Sequence, residues 1–127
     1  MVKVYALREH GWFENPKLES FIWKQTKNAF GVDTVILDNS FESIDEEETT
    51  KVFLVMPDRI DKSVELKDFV HPENASYIFG NAVDNLVRFI GDDDKAVHIT
   101  THQASALFGV TVVGAVMFDR MSKNGNR

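Results

Sequence analysis

The sequence predicts an α/β fold, a mostly parallel sheet of five or six strands flanked by helices. Three observations point there: short β-rich apolar runs recur along the chain, helical or irregular segments separate them, and several of the runs are apolar throughout. Continuous apolar strands between breakers suit a sheet covered on both faces, because a sheet with one wet face alternates instead.

Val2 to Leu7 (VKVYAL) alternates and is β-rich, and after the turn-prone stretch from Gly11 to Pro16 the segment Lys17 to Phe30 carries Leu18, Phe21, Ile22, Gln25 and Ala29 at helical spacing. Pro16 suits a first helical turn and Gly31 a C-terminal stop. Thr34 to Leu37 (TVIL) and Val52 to Met56 (VFLVM, halted by Pro57) are the next strands, with an acidic segment between them. Val64 to Val70 reads as a short helix, His71 to Asn74 as a loop, and Tyr77 to Phe79 as a fourth strand ending at Gly80. Val83 to Ile90 has helical spacing and Ala96 to Ile99 is a fifth strand. In the last element, Ala104 to Arg120, the residues Val110, Thr111, Val112, Val113 and Val116 favour a strand by propensity alone.

A length of 127 residues suits one core and one domain, residues 1–122, followed by a frayed tail at 123–127. The chain has no cysteine, which removes disulfides, thiolate metal sites and thiol nucleophiles together and makes a reducing, cytoplasmic setting the default. The N-terminus enters a strand-like run directly, without the pattern of a secretory signal. The longest apolar stretch, Ala104 to Phe118, falls short of the roughly 20 residues of a membrane helix, so no membrane partner is expected.

The net charge is −6, with 20 acidic against 14 basic residues, which argues against binding DNA or RNA by bulk attraction to phosphate. RNA contact requires a local patch, for which Arg8, Lys24, Lys27, Arg59 and Lys62 are the candidates, against the plainer reading of ordinary surface charge. The acidic runs Glu42 to Glu48 and Asp92 to Asp94 read as solvated loops or helix starts, with metal binding as the alternative. Trp12, Phe13 and Trp23 are either core and dimer contacts or platforms for bases.

Three stretches carry a resemblance. Asn28, Ala29, Phe30, Gly31 and Val32, followed by the strand Thr34 to Leu37, are similar to an "AFGV" turn. Tyr77 to Leu86 (YIFGNAVDNL) is similar in part to a strand of the form "alvlGNE-x-x-GL". Val97 to Thr101, followed by Leu107 to Arg120 (LFGVTVVGAVMFDR), has the spacing and apolar profile of "v-x-IPM-x-G-x-x-x-SLNVSVAAGIVLYE". In that order and at those separations they resemble the 2′-O-ribose methyltransferase branch of the SPOUT superfamily of RNA methyltransferases, over nearly the whole chain.

The resemblance implies a C-terminal trefoil knot, a homodimer, and S-adenosylmethionine held by backbone groups of loops in the knot. It makes the last element a helix, against local propensity. It implies RNA binding and methyl transfer to a ribose 2′-hydroxyl of structured RNA, either tRNA or rRNA. The loops that would line the cofactor contain Met56, Phe79, Gly80, Asn81, Ile99, Thr100, Thr101, Leu107 and Gly109. Gly80 is the leading candidate, because glycine permits close backbone approach.

The chain departs from the family where protons are handled. Gln25 stands where the family has an arginine, Ala82 replaces the glutamate after Gly80 and Asn81, and Leu107 and Gly109 replace a serine and an asparagine. An active version must draw on Asp58, Arg8 or an adjacent subunit in place of Gln25 and Ala82. The other outcome is a non-catalytic knotted dimer, a binding or assembly module that has lost methyl transfer.

The remaining constellations carry less. His98 and His102 are four apart, yet Ile99 belongs to a strand and the glutamate of a helical zinc motif is missing, so no metal is assigned. Asp58, after Pro57, is a general base or a cap for the next segment. Gly109 and Gly114 are not followed by Lys-Ser or Lys-Thr, and no Ser-His-Asp order or interpretable carboxylate pair supports a hydrolase.

Overall fold

The computed structural model describes residues 1–9, 15–37, 48–56, 62–81, 86–101 and 109–125. In chain order these form β1 (Val2–Leu7), α1 (Pro16–Phe30), β2 (Asp33–Leu37), β3 (Thr50–Leu54), β4 (Val64–Glu65), β5 (Ala75–Phe79), β6 (Lys95–His98) and α2 (Gly109–Asn124). Short 3₁₀ turns occupy Leu66–Asp68 and Val87–Phe89. All six strands lie in one sheet, ordered β2-β1-β5-β3-β6-β4, and each of its strand pairs is parallel. The α/β class is as the sequence predicts, at the higher strand count.

A parallel sheet needs cover on both faces, and β5 is buried along its whole length. Strand alternation divides its residues between two cores. Ala75, Tyr77 and Phe79 join Val4, Ala6, Val52 and Val97 on one face, where Trp23 of α1 and Val113, Val116 and Met117 of α2 complete the packing. Ile78 joins Tyr5, Leu7, Phe53, Val55 and Ala96 on the other, against Leu86 with Val87 and Ile90. Among the described residues both helices therefore cover the same face.

Local chemistry sets the ends of α1. The Asn15 side chain accepts the Leu18 N–H at 3.1 Å, Pro16 opens the helix, and Gly31 closes it at φ 66°, donating its N–H to Lys27 O at 2.8 Å. The apolar stripe named by helical spacing nevertheless faces outward. Leu18 and Phe21 are 46% and 63% exposed, Gln25 and Ala29 are exposed, and the residues turned to the sheet are Glu19, Trp23 and Thr26.

Helix α2 forms despite its valines. β-branched residues lose only some tenths of a kcal/mol each in a helix, whereas burying a valine or methionine side chain gains about 1.5–3 kcal/mol. The helix also runs past Arg120 through Ser122, Lys123 and Asn124, and Gly125 (φ 71°) donates to Met121 O at 2.8 Å. These residues belong to the fold rather than to a frayed tail, since Lys123 Nζ donates to the carbonyls of Leu66 and Phe69 at 2.7 and 2.9 Å.

Two helical assignments change. Val64 to Val70 is a two-residue edge strand and a 3₁₀ turn, because Val64 and Glu65 pair with Val97 and His98 while Leu66 and Phe69 turn into the core. Of Val83 to Ile90, the described part holds only the 3₁₀ turn at Val87–Phe89. The Asp92 to Asp94 run lies in a turn where Asp94 Oδ2 accepts the Gly91 N–H at 2.8 Å. The expected knot falls on segments that include 82–85 and 102–108, which lie outside the described residues, as do Asp58, Arg59, Trp12, Phe13, His102, Leu107 and the stretch 38–47.

Candidate functional site

β1 and β5 are neighbours, paired in parallel from Val2↔Ala75 to Ala6↔Phe79. Beyond β1 the chain crosses to α1 on one face of the sheet; beyond β5 it passes to Leu86–Ile90 on the opposite face. Adjacent parallel strands whose connections diverge leave a crevice at their carboxyl ends, the usual ligand position in open α/β sheets. Arg8 and Glu9 follow β1 there, and Gly80 and Asn81 follow β5. The Asn81 side chain ties the two ends together by donating to Arg8 O at 3.0 Å.

Two carboxylates stand behind this crevice. Glu19, in the first turn of α1 and 2% exposed, accepts the Glu9 N–H at 2.9 Å and Arg8 Nη1 at 3.0 Å. Glu9, also buried, accepts the N–H of Gly109 at 3.4 Å and so brings a negative charge to the start of α2. Gly109 is pressed against the site: a Cβ there would stand 3.3 Å from both Phe79 Cβ and Trp23 Cζ2 and 3.5 Å from Gly80 O. The Trp23 and Phe79 rings meet edge to face, with centroids 5.9 Å apart. Trp23 Nε1, buried in this wall, has no hydrogen-bond partner among the described residues.

Next to β5 lie β3 and then β6, so their ends extend the same rim. Val55 donates its N–H to Val97 O at 2.9 Å, Met56 and Ile99 are half-buried, and Thr100 and Thr101 are exposed. Met56, Gly80, Asn81, Ile99, Thr100, Thr101 and Gly109, residues far apart in sequence, thus gather at the carboxyl ends of three neighbouring strands and the start of α2. Phe79 belongs to the core, 1% exposed, and forms the wall behind the rim rather than its surface.

Of the three catalytic candidates, Arg8 reaches the site, held by Glu19. Gln25 sits on the exposed side of α1, opposite the face carrying Glu19 and Trp23, and is not gathered with the rim. Trp23, 2% exposed, is core and offers no platform for a base. The basic residues are dispersed: Lys24 and Lys27 are exposed on α1, where Lys27 pairs with Asp33 at 3.7 Å, and Lys62 precedes β4 at the sheet edge opposite β2. His98 lies on β6, with Nδ1 2.7 Å from Ser63 Oγ.

Sequence reasoning missed Glu9 and Glu19. Glu19 reads as an ordinary carboxylate in a first helical turn, and the partner of Glu9 lies 100 residues away. Among the described residues no His, Asp and Glu cluster could hold a metal ion, and no helix is long and apolar enough to cross a membrane. The fold defines an α/β protein with an all-parallel sheet whose connections diverge between the ends of β1 and β5, the position at which such sheets place ligands. No protein-family model matches the chain, and no curated protein matches it either.

Glu19→Ala removes the carboxylate that the Arg8 guanidinium and the buried Glu9 N–H share. The expected loss is about 2–3 kcal/mol in urea unfolding, with Glu19→Gln losing less; a loss within experimental error would show that the pair does not organise this end. Gly109→Ala must displace Phe79 Cβ or the buried edge of Trp23, and is expected to lose about 1–3 kcal/mol. An unchanged or raised stability would mean that α2 does not begin in this contact.

Proposed function

We propose that the protein is a divergent SPOUT-type, S-adenosylmethionine-dependent RNA ribose 2′-O-methyltransferase, working as a homodimer on structured RNA such as tRNA or rRNA. The single observation that carries this reading is the meeting of Gly80 with Gly109 at the rim shared by β5, β3 and β6. The resemblance assigns its cofactor loops to these same segments. A second support is that Gly109–Asn124 is helical although its valines favour a strand.

The residues at the rim fit an adenosyl group. Half-buried Met56 and Ile99 offer apolar walls, while Gly80, Asn81, Thr100 and Thr101 offer backbone donors and acceptors past the last ladder pairs. These residues would hold S-adenosylmethionine, which when bound supplies an activated methyl group. The protein's own task is then positioning a ribose hydroxyl and excluding water. Arg8, anchored by Glu19, stands at the β1 side of the crevice with a positive charge suited to an RNA phosphate.

Thermal denaturation and calorimetry with S-adenosylmethionine, followed by transfer of a labelled methyl group to tRNA and rRNA, test the assignment. Binding at a hundredfold excess over Kd adds about 2.7 kcal/mol and raises Tm by several degrees. The absence of both heat and thermal shift at millimolar cofactor would defeat it. Binding without transfer to any structured RNA would favour the second reading, a non-catalytic knotted dimer, for which the replacements at Gln25 and Ala82 are the specific support.

The dimer reading draws on the outward faces of the helices. Leu18 and Phe21 on α1, with Phe118 (60% exposed) and Met121 on α2, are large apolar side chains left in water, and between Gly109 and Phe118 the exposed side of α2 has no charged residue. Light scattering after gel filtration is expected to give twice the chain mass, and the double substitution Phe21→Asp with Phe118→Asp a monomer of unchanged circular dichroism. A wild-type monomer at micromolar concentration would overturn this part.

A further inference from the structure

The second half of α2 is tied to the segment before β5 by a polar network that the candidate site does not use. Arg120, 3% exposed, donates through Nη1 to Pro72 O at 2.6 Å and Tyr77 Oη at 2.9 Å, and through Nη2 to Glu73 O at 2.8 Å. Lys123 Nζ reaches Leu66 O, Phe69 O and, at 2.9 Å, Asp119 Oδ2, and Asn124 Nδ2 donates to His71 O at 3.3 Å. His71 sits at the centre, its side chain wholly buried, with Nδ1 2.6 Å from Tyr77 Oη and Nε2 2.7 Å from Asp119 Oδ2.

Counting donors assigns the protons of the neutral ring. The Tyr77 oxygen already accepts from Arg120, so its own proton goes to His71 Nδ1, and the ring proton on Nε2 goes to the Asp119 carboxylate. The imidazole is neutral and fully satisfied. A second proton has only Nδ1 to bind, where it would face the Tyr77 hydroxyl proton, donor against donor, in a site closed to water.

The charged and titratable groups around the ring are Asp119, Arg120 and Lys123 on α2 and Tyr77 on β5. Besides the His71 ring, the 66–74 segment enters the network through backbone carbonyls, the side chains of Lys67, Asp68 and Glu73 being exposed, and Phe69 sets its ring edge on the imidazole at 5.0 Å. Burial holds the His71 pKa below the ordinary imidazole value; the Asp119 carboxylate opposes this, while Lys123 and Arg120 reinforce it. Burial pushes Asp119 up, but its bonds from His71 and Lys123 outweigh that and hold it below the usual carboxylate range, so it stays charged while the histidine titrates.

We propose that His71 is an acid-sensitive latch: protonating its imidazole frees the second half of α2 from the 66–74 segment while the sheet remains folded. The neutral ring's contribution is complete above the unfolded imidazole pKa of about 6.5 and is lost as pH falls from there toward the lowered folded value.

Amide hydrogen exchange at about pH 7.5 and about pH 5.5, on either side of that value and corrected for intrinsic rates, reads the latch directly. Opening at Val116 to Asn124 is expected to rise by up to about tenfold at the lower pH, with β1 and β5 amides unchanged. His71→Gln removes this pH dependence, whatever its basal opening. Asp119→Asn keeps an acceptor for Nε2 but loses the charge that favours the protonated ring, so the folded pKa falls further and the rise in opening between the two pH values is at least as large as in the wild type. Exchange in α2 indifferent to pH, a dependence surviving in His71→Gln, sheet and helix opening together, or a smaller pH dependence in Asp119→Asn would each overturn the latch.

Discussion

The close approach of Gly109 to Phe79, Trp23 and the Gly80 carbonyl is the contact on which the rest of this end of the molecule depends. It lets α2 begin flush against the last residue of β5, where an added Cβ would stand 3.3 Å from Phe79 Cβ and Trp23 Cζ2 and press them back by a few tenths of an ångström. From that start the helix lays Val113, Val116 and Met117 on the sheet, in one buried cluster with Tyr77, Val4 and Val97. The Gly109 N–H, directed to Glu9, joins the helix to β1, and Glu19 joins the same strand end to α1. Three elements from the two ends of the sequence are thereby fixed around one crevice.

The charges in this region are arranged in a chain rather than as isolated pairs. Arg8 neutralises Glu19, which also takes the N–H of Glu9, whose carboxylate meets the positive end of α2. Each buried carboxylate thus has a partner able to repay its desolvation. The far end of α2 uses a different device, in which Arg120 and Lys123 saturate backbone carbonyls of the segment leading into β5. One helix is therefore held at its start by close packing and the bond to Glu9, and at its end by cationic side chains on backbone carbonyls.

Much of the architecture was legible because local signals agreed with tertiary demand. The strand runs around Val4, Ile36, Phe53, Ile78 and Val97 lie between breakers, and Pro16 and Gly31 bound α1 where their backbone preferences require. Disagreement came where packing overrode local preference. The valines of α2 spell a strand and form a helix, because their burial outweighs a small propensity difference. The stripe of Leu18 and Phe21 is helical in period but turned outward, and periodicity alone does not say which stripe a sheet will cover. Leu66 and Phe69 look like a helical pair yet are drawn into the core by the edge pairing of β4 with β6. At the strand ends, the positions that follow β3, β5 and β6 were legible from the topology rule. Glu9, Glu19 and the His71 network were not, since their partners lie across the fold and no short motif encodes them.

Nuclear Overhauser contacts between the Gly109 α-protons and the protons at Trp23 Cζ2 and Phe79 Cβ measure the seating of α2 most directly. Strong cross-peaks to both residues are expected, together with an indole resonance shielded from water. Absence of both cross-peaks, with Trp23 shifts typical of a solvent-exposed indole, would contradict that seating and remove the basis for a site at this end of the sheet.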